Sequence, residues 1–260
     1  MPRFWHRSLG VTGMSDASIS SQIRTAQEPE LCANCNIRHS SLCGALSSEE
    51  INDLNNIARR KTLDPGQPHV MEGDASRDFA NVTSGVAKLV RGAEDGRSQI
   101  VGLLFPSDFI CGSLGTSKPK SAPHSIEAVS ALELCIFPHM QFEELLHDHP
   151  SLEFKLLNRT LDELQIARDW MVLLGRKTAE ERVANFFLYV TQKMATLGCQ
   201  GQTSFDLPLG RADIADYIGL TLETVSRQIT RLKKDGVIAF EGTKHLVHVD
   251  EEELTRRAGF

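Results

Sequence analysis

Three cysteines lie close together in the first fifth of the sequence. Cys32, Cys35 and Cys43 are separated by two and by seven residues. Six cysteines in a chain of 260 residues without an apolar leader segment are better explained as metal or redox ligands than as a disulfide framework. Thiolates at this density favour a soft metal ion or an iron–sulfur cluster, and such a site needs a fourth ligand.

Cys135 is the best candidate for that fourth ligand. It lies in a predicted strand whose apolar residues all fall on one face: Leu132, Leu134 and Ile136. Because side chains alternate along a strand, Cys135 then shares the opposite face with Glu133, where a loop outside the sheet can reach it. Cys111 is interpreted instead as a small buried apolar residue. Cys199 is too far along the chain to serve this site.

A histidine inside the same segment supports a competing interpretation. His39 is separated from Cys35 and from Cys43 by three residues each, which resembles a zinc knuckle. The spacing differs from the usual knuckle, and zinc would leave Cys135 without a role. A thiol/disulfide switch is the third alternative. For His39 itself, the favoured interpretation is an exposed loop residue.

A second chemical pattern begins at Arg211 and ends near Lys234. Two short helices, 210–217 and 222–234, are joined through Gly219, which allows a tight turn with positive φ. Thr221 can cap the second helix. One face of that helix is apolar, and the other carries polar residues: Glu223, Ser226, Arg227, Thr230 and Arg231. With a hairpin of 237–240 and 246–249 behind it, this pattern predicts a winged helix-turn-helix.

The polar face of the second helix has side chains suited to a DNA major groove. Arg227 can donate two hydrogen bonds to guanine, and Glu223 can accept one from cytosine. The hydroxyl of Ser226 can donate or accept a hydrogen bond. Thr221 and Arg231 complete the predicted DNA-binding set. The net charge of −6 argues against indiscriminate coating of nucleic acid. A mildly basic segment over 221–245 is compatible with sequence-specific binding.

The preceding segments must position these two sites. From 62 to 137, short β-rich runs separated by turn residues about every ten positions predict an antiparallel barrel or jelly roll. From 151 to 177, a long helix is predicted with a coiled-coil-like seam. The seam residues are Leu157, Thr160, Leu164, Ala167, Met171 and Leu174. We interpret the seam as a pairing surface between two copies; the alternative is a helix packed only on its own domain.

The residues quoted so far resemble the CRP/FNR superfamily of bacterial transcription regulators. Glu223, Ser226 and Arg227 match the E-x-x-S-R recognition motif of its FNR branch. The resemblance implies an α+β chain with a cyclic-nucleotide-binding-like barrel, a dimerisation helix and a winged helix. It also implies an activator that binds palindromes with TTGAT-like half-sites. The implied partners are double-stranded DNA, a second copy of the chain and RNA polymerase.

The same resemblance implies a cofactor. FNR-type members hold an oxygen-labile [4Fe-4S] cluster with three N-terminal cysteines and one on a late barrel strand. Here the matching residues are Cys32, Cys35, Cys43 and Cys135. The seven residues between Cys35 and Cys43 exceed the five of the best-known members, and this longer spacing resembles alphaproteobacterial ones.

Two departures argue against a cyclic nucleotide as effector. The G-E-L turn that binds the cyclic phosphate is replaced by Gly112-Ser113-Leu114, and the R-S pair by His124-Ser125. A buried phosphate without its arginine would be poorly compensated.

The chain therefore divides into four predicted parts. These are a flexible tail (1–30), a sensor domain (31–147), a dimerisation helix (148–177) and a DNA-binding domain (178–260). No stretch approaches the ~20 apolar residues that cross a bilayer, so a cytoplasmic location without membrane contact is expected. No catalytic constellation or nucleotide-binding fingerprint is present, so no enzymatic activity is expected.

Overall fold

The structure is a computed structural model that describes residues 30–75, 78–111, 121–196 and 204–259. The tail predicted over 1–30 lies outside this part of the chain except for Glu30. The segment Gly112-Ser113-Leu114 and Cys199 also lie outside it.

Two four-stranded antiparallel sheets form the predicted barrel, which confirms the fold class expected for this region. The first sheet contains, in spatial order, β1 (Arg59–Leu63), β8 (Leu132–Pro138), β3 (Asp78–Ser84) and β6 (Phe109–Ile110). The second contains β2 (Pro68–Val70), β7 (Ser125–Ala128), β4 (Ala87–Gly92) and β5 (Ser98–Leu104). Gly96, with φ of 83°, lies in the turn between β4 and β5. Apolar side chains from both sheets fill the space between them, including Val82, Leu104, Ile126 and Leu134.

The outer face of the first sheet is covered by the cysteine-bearing segment and two helices. The elements are α1 (Glu30–Ala33), a 3-10 turn (Leu42–Ala45), α2 (Glu50–Ile57) and α3 (His139–Asp148). A capping box begins α2, since Ser47 N donates to Glu50 Oε2 at 2.7 Å and Glu50 N donates to Ser47 Oγ at 3.2 Å. A second apolar core, with Phe79, Phe137 and Phe142 at its centre, joins these helices to the sheet.

The predicted long helix is α4 (Pro150–Arg176), which at ~1.5 Å per residue is about 40 Å long. Its buried side chains, Leu152, Leu156 and Leu173, face the chain's own domains. The predicted seam lies on another side. Five of its six residues are exposed, and Leu174 is half-buried. No helix in the described ranges is long and apolar enough to cross a membrane.

The remaining elements build the winged helix-turn-helix. They are α5 (Ala179–Thr196), β9 (Phe205–Asp206), α6 (Arg211–Ile218), α7 (Leu222–Lys234), β10 (Ile238–Glu241), β11 (His245–Val249) and α8 (Glu251–Arg257). The predicted hairpin is part of a three-stranded sheet, in the order β10-β11-β9. The additional strand β9 and helix α8 were not predicted from the sequence.

Candidate DNA interface and metal centre

The turn between α6 and α7 fixes the direction of the second helix. Gly219 ends α6 with φ of 64° and ψ of 45°, the left-handed conformation predicted for it. Thr221 then caps α7, because its Oγ1 accepts a hydrogen bond from Thr224 N at 3.3 Å. Val225, Ile229 and Leu232 are buried against the rest of the domain. The opposite face of α7 is therefore held outward.

The predicted DNA-binding residues at the start of α7 lie on that outward face. Glu223 and Arg227 are exposed, and Ser226 is half-buried. Hydrogen bonds from the backbone and from Thr221 lower the pKa of Glu223, so this carboxylate is ionised at neutral pH. Arg227 donates to Thr224 Oγ1 at 3.3 Å, a contact that a base edge can replace. One acceptor and one bidentate donor thus lie in the first two turns of the helix.

Arg231 is engaged differently from Arg227. Its Nη1 lies 2.8 Å from Glu180 Oε2, at the beginning of α5, and its Nε lies 4.0 Å from Asp235 Oδ2. The same two carboxylates pair with Arg257 of α8, whose Nη1 lies 2.8 Å from Asp235 Oδ2 and 3.4 Å from Glu180 Oε1. The charged network attaches the C-terminal end of α7 to α5 and α8.

Arg257 was missed in the sequence analysis, although a signal for its helix exists. Asp250 and Glu253 stand three residues apart, the spacing of a helix N-cap, and Glu253 N donates to Asp250 Oδ1 at 2.9 Å. The side chain of Arg257 is only 13% exposed. Its contacts orient the DNA-reading helix from behind.

The four cysteines predicted as ligands come from the N-terminal segment and from strand β8. Cys32 is in α1, Cys35 follows it, Cys43 is in the 3-10 turn, and Cys135 is on β8. As predicted from strand alternation, Cys135 lies on the outer face, while Leu134 and Ile136 on either side point into the barrel. All four thiols are half-buried and none forms a disulfide. Cys32, Cys43 and Cys135 pack against the same apolar core on the outer side of the first sheet.

Burial determines the protonation of the two innermost thiols. It raises the pKa of Cys135 to about 12, and it also raises the pKa of Cys43. Both are protonated at neutral pH, and a bound metal would have to displace those protons. Across the described ranges, no three or more His, Cys, Asp or Glu side chains are arranged closely enough to hold a metal ion. The four thiols are therefore not arranged as a complete set of metal ligands in this structure.

Two asparagine side chains lie beside the thiols. Cys32 Sγ lies 3.5 Å from Asn55 Oδ1, and Asn81 Nδ2 lies 3.5 Å from Cys43 Sγ. His39 is exposed, as predicted. A donor set of four sulfurs suits iron–sulfur chemistry. Cys111, which we expected to be buried, is exposed because it follows the last residue of β6 and lies beyond the sheet.

The cysteine-bearing segment contacts the loop that precedes β6. Ser40 Oγ lies 2.5 Å from Ser107 Oγ. Ser107 has φ of 77°, a left-handed conformation that non-glycine residues rarely adopt and that marks stored strain. The carbonyl of Ser107 accepts a hydrogen bond from Arg159 of α4 at 3.3 Å. This loop therefore connects the cysteine segment to the long helix.

The next residue, Asp108, joins the barrel to both C-terminal elements. Its carboxylate is 8% exposed, pairs with Arg159 of α4, and lies 3.0 Å from Lys193 Nζ of α5. A second contact between the barrel and the DNA-binding domain is Lys88, whose Nζ lies 2.9 Å from Asp213 Oδ1 of α6. Contacts thus connect the cysteine segment, through Ser107 and Asp108, to α4 and α5.

The R-S pair of a cyclic-phosphate site corresponds here to His124 and Ser125. Ser125 is buried, and its Oγ accepts a hydrogen bond from Glu72 N at 2.9 Å. The preceding residue, His124, is half-buried, and burial lowers its pKa, so it is uncharged at neutral pH. Neither side chain supplies the positive charge that a phosphate needs.

Family comparisons divide the chain in the same way as the structure. The Crp-like helix-turn-helix domain family matches residues 181–257, which include α6 and α7. The cyclic nucleotide-binding domain family matches residues 60–149, the barrel with α3.

Several relatives are similar along most of the chain. The transcriptional activator protein FnrL of Cereibacter sphaeroides is 42% identical over 231 residues, which cover 88% of this chain and 92% of that protein. The nitrogen fixation regulation protein FixK of Bradyrhizobium diazoefficiens is 38% identical over 208 residues, covering 80% and 86%. The structure of FixK2 from Bradyrhizobium japonicum superposes with a TM-score of 0.69 at 30% identity, covering 78% of this chain and 98% of that one.

Proposed function

Because the chain belongs to the CRP/FNR family of transcription regulators, we propose that it activates transcription from TTGAT-N4-ATCAA-like palindromes as a homodimer. Its active form is the one that holds an oxygen-labile [4Fe-4S] cluster. An activator of this kind recruits RNA polymerase at the promoters where it is bound.

The observation that carries the DNA proposal is the outward face at the start of α7. Glu223 and Arg227 stand one turn apart there, both charged and without buried ion-pair partners among the described residues. In a major groove, Arg227 would pair with guanine and Glu223 would accept from cytosine, with Ser226 beside them. Arg231, which is already held by Glu180, would contact the phosphate backbone after exchanging that partner.

A binding titration with a labelled TTGAT-N4-ATCAA duplex tests this face. Arg227→Ala should weaken binding by about 1–3 kcal/mol, roughly 5- to 150-fold, and should relax the preference for the base pair it reads. Arg59→Ala, at an exposed arginine on β1 of the barrel, is the matched control and should bind as the unmodified protein does. Equal loss in both variants, or in neither, would show that α7 does not read the duplex.

The homodimer is supported by the exposed side of α4. Leu157, Leu164 and Met171 are 54%, 44% and 70% exposed in the single chain. A row of exposed apolar side chains on one long helix is stabilised when it is buried in an interface, and the same helix of a second copy can bury it. A palindrome with half-sites one helical turn apart also requires a two-fold symmetric reader.

The cluster proposal is supported by the four gathered thiols and their neighbours. When bound, a [4Fe-4S] group would supply an oxygen-sensitive linkage among the thiolates of Cys32, Cys35, Cys43 and Cys135. These residues would then fix the N-terminal segment against β8. Ser40 would be held against Ser107, and Asp108 would keep Arg159 and Lys193 in place. The long helix and the DNA-binding domain would thereby be held in one arrangement.

Anaerobic purification followed by iron and sulfide analysis and an optical spectrum tests the cofactor. Four iron and four sulfide per chain are expected. One zinc per chain without iron would replace the cluster by a zinc site, and neither metal with a reversible disulfide would replace it by a thiol switch. In both cases the DNA proposal would stand on its own titration.

A further inference from the structure

One buried polar side chain lies beside the cysteines without a role in the proposed function. Asn81 is on β3, the strand next to β8, and is 1% exposed. Its side chain shares the outer face of the sheet with Phe79, whereas Ala80 and Val82 on either side point into the barrel. An amide at the centre of an apolar layer has to be explained by its partners.

The partners of Asn81 are two of the four predicted ligands. In the sheet register, Asn81 stands directly opposite Cys135. Directly opposed residues on neighbouring strands have adjacent side chains on the same face. In addition, Asn81 Nδ2 lies 3.5 Å from Cys43 Sγ, which belongs to a turn far away in the sequence. Asn81 therefore lies at the point where the cysteine segment meets the barrel strand.

The other end of the amide is unsatisfied. Asn81 Oδ1 is fully buried and has no hydrogen-bond partner among the residues that the structure describes. A buried carbonyl oxygen without a partner destabilises the ligand-free fold, whereas leucine at this position would fill a similar volume without that loss. Because the amide destabilises the ligand-free fold, we expect it to contribute to the metal-loaded state of the site.

We propose that Asn81 is a positioning residue for the cluster, which holds Cys43 Sγ in place by donating its Nδ2–H to that sulfur. The inference rests on the proposed function and adds a residue that the four ligands do not include. A thiolate is a stronger acceptor than the thiol of the ligand-free protein, so the hydrogen bond strengthens once Cys43 is a ligand. Groups that orient metal ligands in this way govern how firmly the metal is held.

Asn81→Leu tests the assignment in the full chain purified without oxygen. The first measurement is the loss of the cluster's visible absorption in excess EDTA under nitrogen, which we expect to be about 10- to 100-fold faster than in the unmodified protein. The second is thermal unfolding of the metal-free protein, which we expect at the same or a higher temperature because the unsatisfied oxygen is gone. A role in folding alone would produce the opposite pair of results.

Val82→Ala is the matched control, since Val82 is the next residue of β3 and is buried in the barrel. It should lower the unfolding temperature and leave the rate of cluster loss unchanged. Asn81→Asp keeps the size of the side chain and replaces the donor by an acceptor, so it should lose the cluster as fast as the leucine variant. This second substitution decides the question if the leucine variant does not fold.

The outcomes separate this inference from the proposal on which it rests. Iron and sulfide in the unmodified protein, with the expected fast loss in both Asn81 variants, would support the assignment. Iron and sulfide in the unmodified protein, with unchanged loss in both variants, would overturn it while the cluster proposal stood. Absence of iron from the unmodified protein would overturn both.

Discussion

Replacing Asp108 by asparagine removes a negative charge at the point where the barrel, α4 and α5 meet. Asparagine has the same size and can still accept the hydrogen bond that Phe105 N donates to Asp108 Oδ2 at 2.9 Å. The attraction to Arg159 and to Lys193 is lost. Asp108→Asn therefore tests the ionic contact between domains with little change in packing.

The magnitude follows from the burial of the three partners. Removing one member of a buried ion pair costs about 3–5 kcal/mol. The side chains of Arg159 and Lys193 remain 30% and 25% exposed, so water replaces part of what they lose. We expect the free energy of unfolding to fall by about 2 kcal/mol, which is roughly a 30-fold change in the equilibrium constant.

Trp170 fluorescence is a suitable assay because this residue of α4 stacks on Tyr217 of α6, with ring centroids 4.4 Å apart. The chain has two tryptophans, so Trp5→Phe leaves Trp170 as the single emitter. Urea unfolding would be followed for Asp108→Asn, for Lys193→Met and for the two together. Two residues in direct contact should show a coupling energy of about 1–2 kcal/mol.

Lys88→Met provides the matched comparison, because Lys88 also joins the barrel to the DNA-binding domain but has Asp213 and Glu127 as partners. Its effect should add to that of Asp108→Asn within about 0.5 kcal/mol. The effects of Asp108→Asn and Lys193→Met should not add within that margin. If they did, the Asp108 carboxylate would not couple the barrel to α5, and the proposed connection through Asp108 would be refuted.

Two further expectations concern the seam and the pH dependence of stability. Ala167→Asp should raise the dimer dissociation constant of the cluster-loaded protein by at least about tenfold, because two carboxylates would face each other across the pair. Sedimentation with Ala167→Asn as the uncharged control checks this, and an unchanged constant would place the seam elsewhere. Burial lowers the pKa of His69 to about 4. Below about pH 6.5 this imidazole is therefore protonated in the unfolded chain but stays neutral in the folded chain until the pH approaches 4. Stability should therefore fall between pH 6.5 and 4, and His69→Gln should reduce the slope in urea titrations; an identical slope would contradict the shift.

Features that depend on near neighbours in the chain could be predicted from the sequence. The turn at Gly219, the cap at Thr221 and the polar face of α7 follow from helix periodicity over a few residues. The outward direction of Cys135 follows from strand alternation in the same way. Local backbone geometry determines each of these, whatever the rest of the fold does.

Contacts between distant parts of the chain were decided only by the tertiary structure. Asp108 reaches Arg159 across 51 residues and Lys193 across 85, and nothing in the sequence near Asp108 indicates either partner. The same holds for Asn81, whose place beside Cys135 depends on the register of two strands and on a turn 38 residues earlier. The exposure of Cys111 depends on where its strand ends.

The sequence by itself therefore identified the candidate residues for reading DNA and for holding a metal, because residue type and local periodicity can be read from it. The tertiary structure decided which segments contact the cysteine segment and the helix-turn-helix. Burial of charges such as Asp108 and of amides such as Asn81 is a property of surroundings assembled from many segments. Those surroundings exist only after the chain has folded.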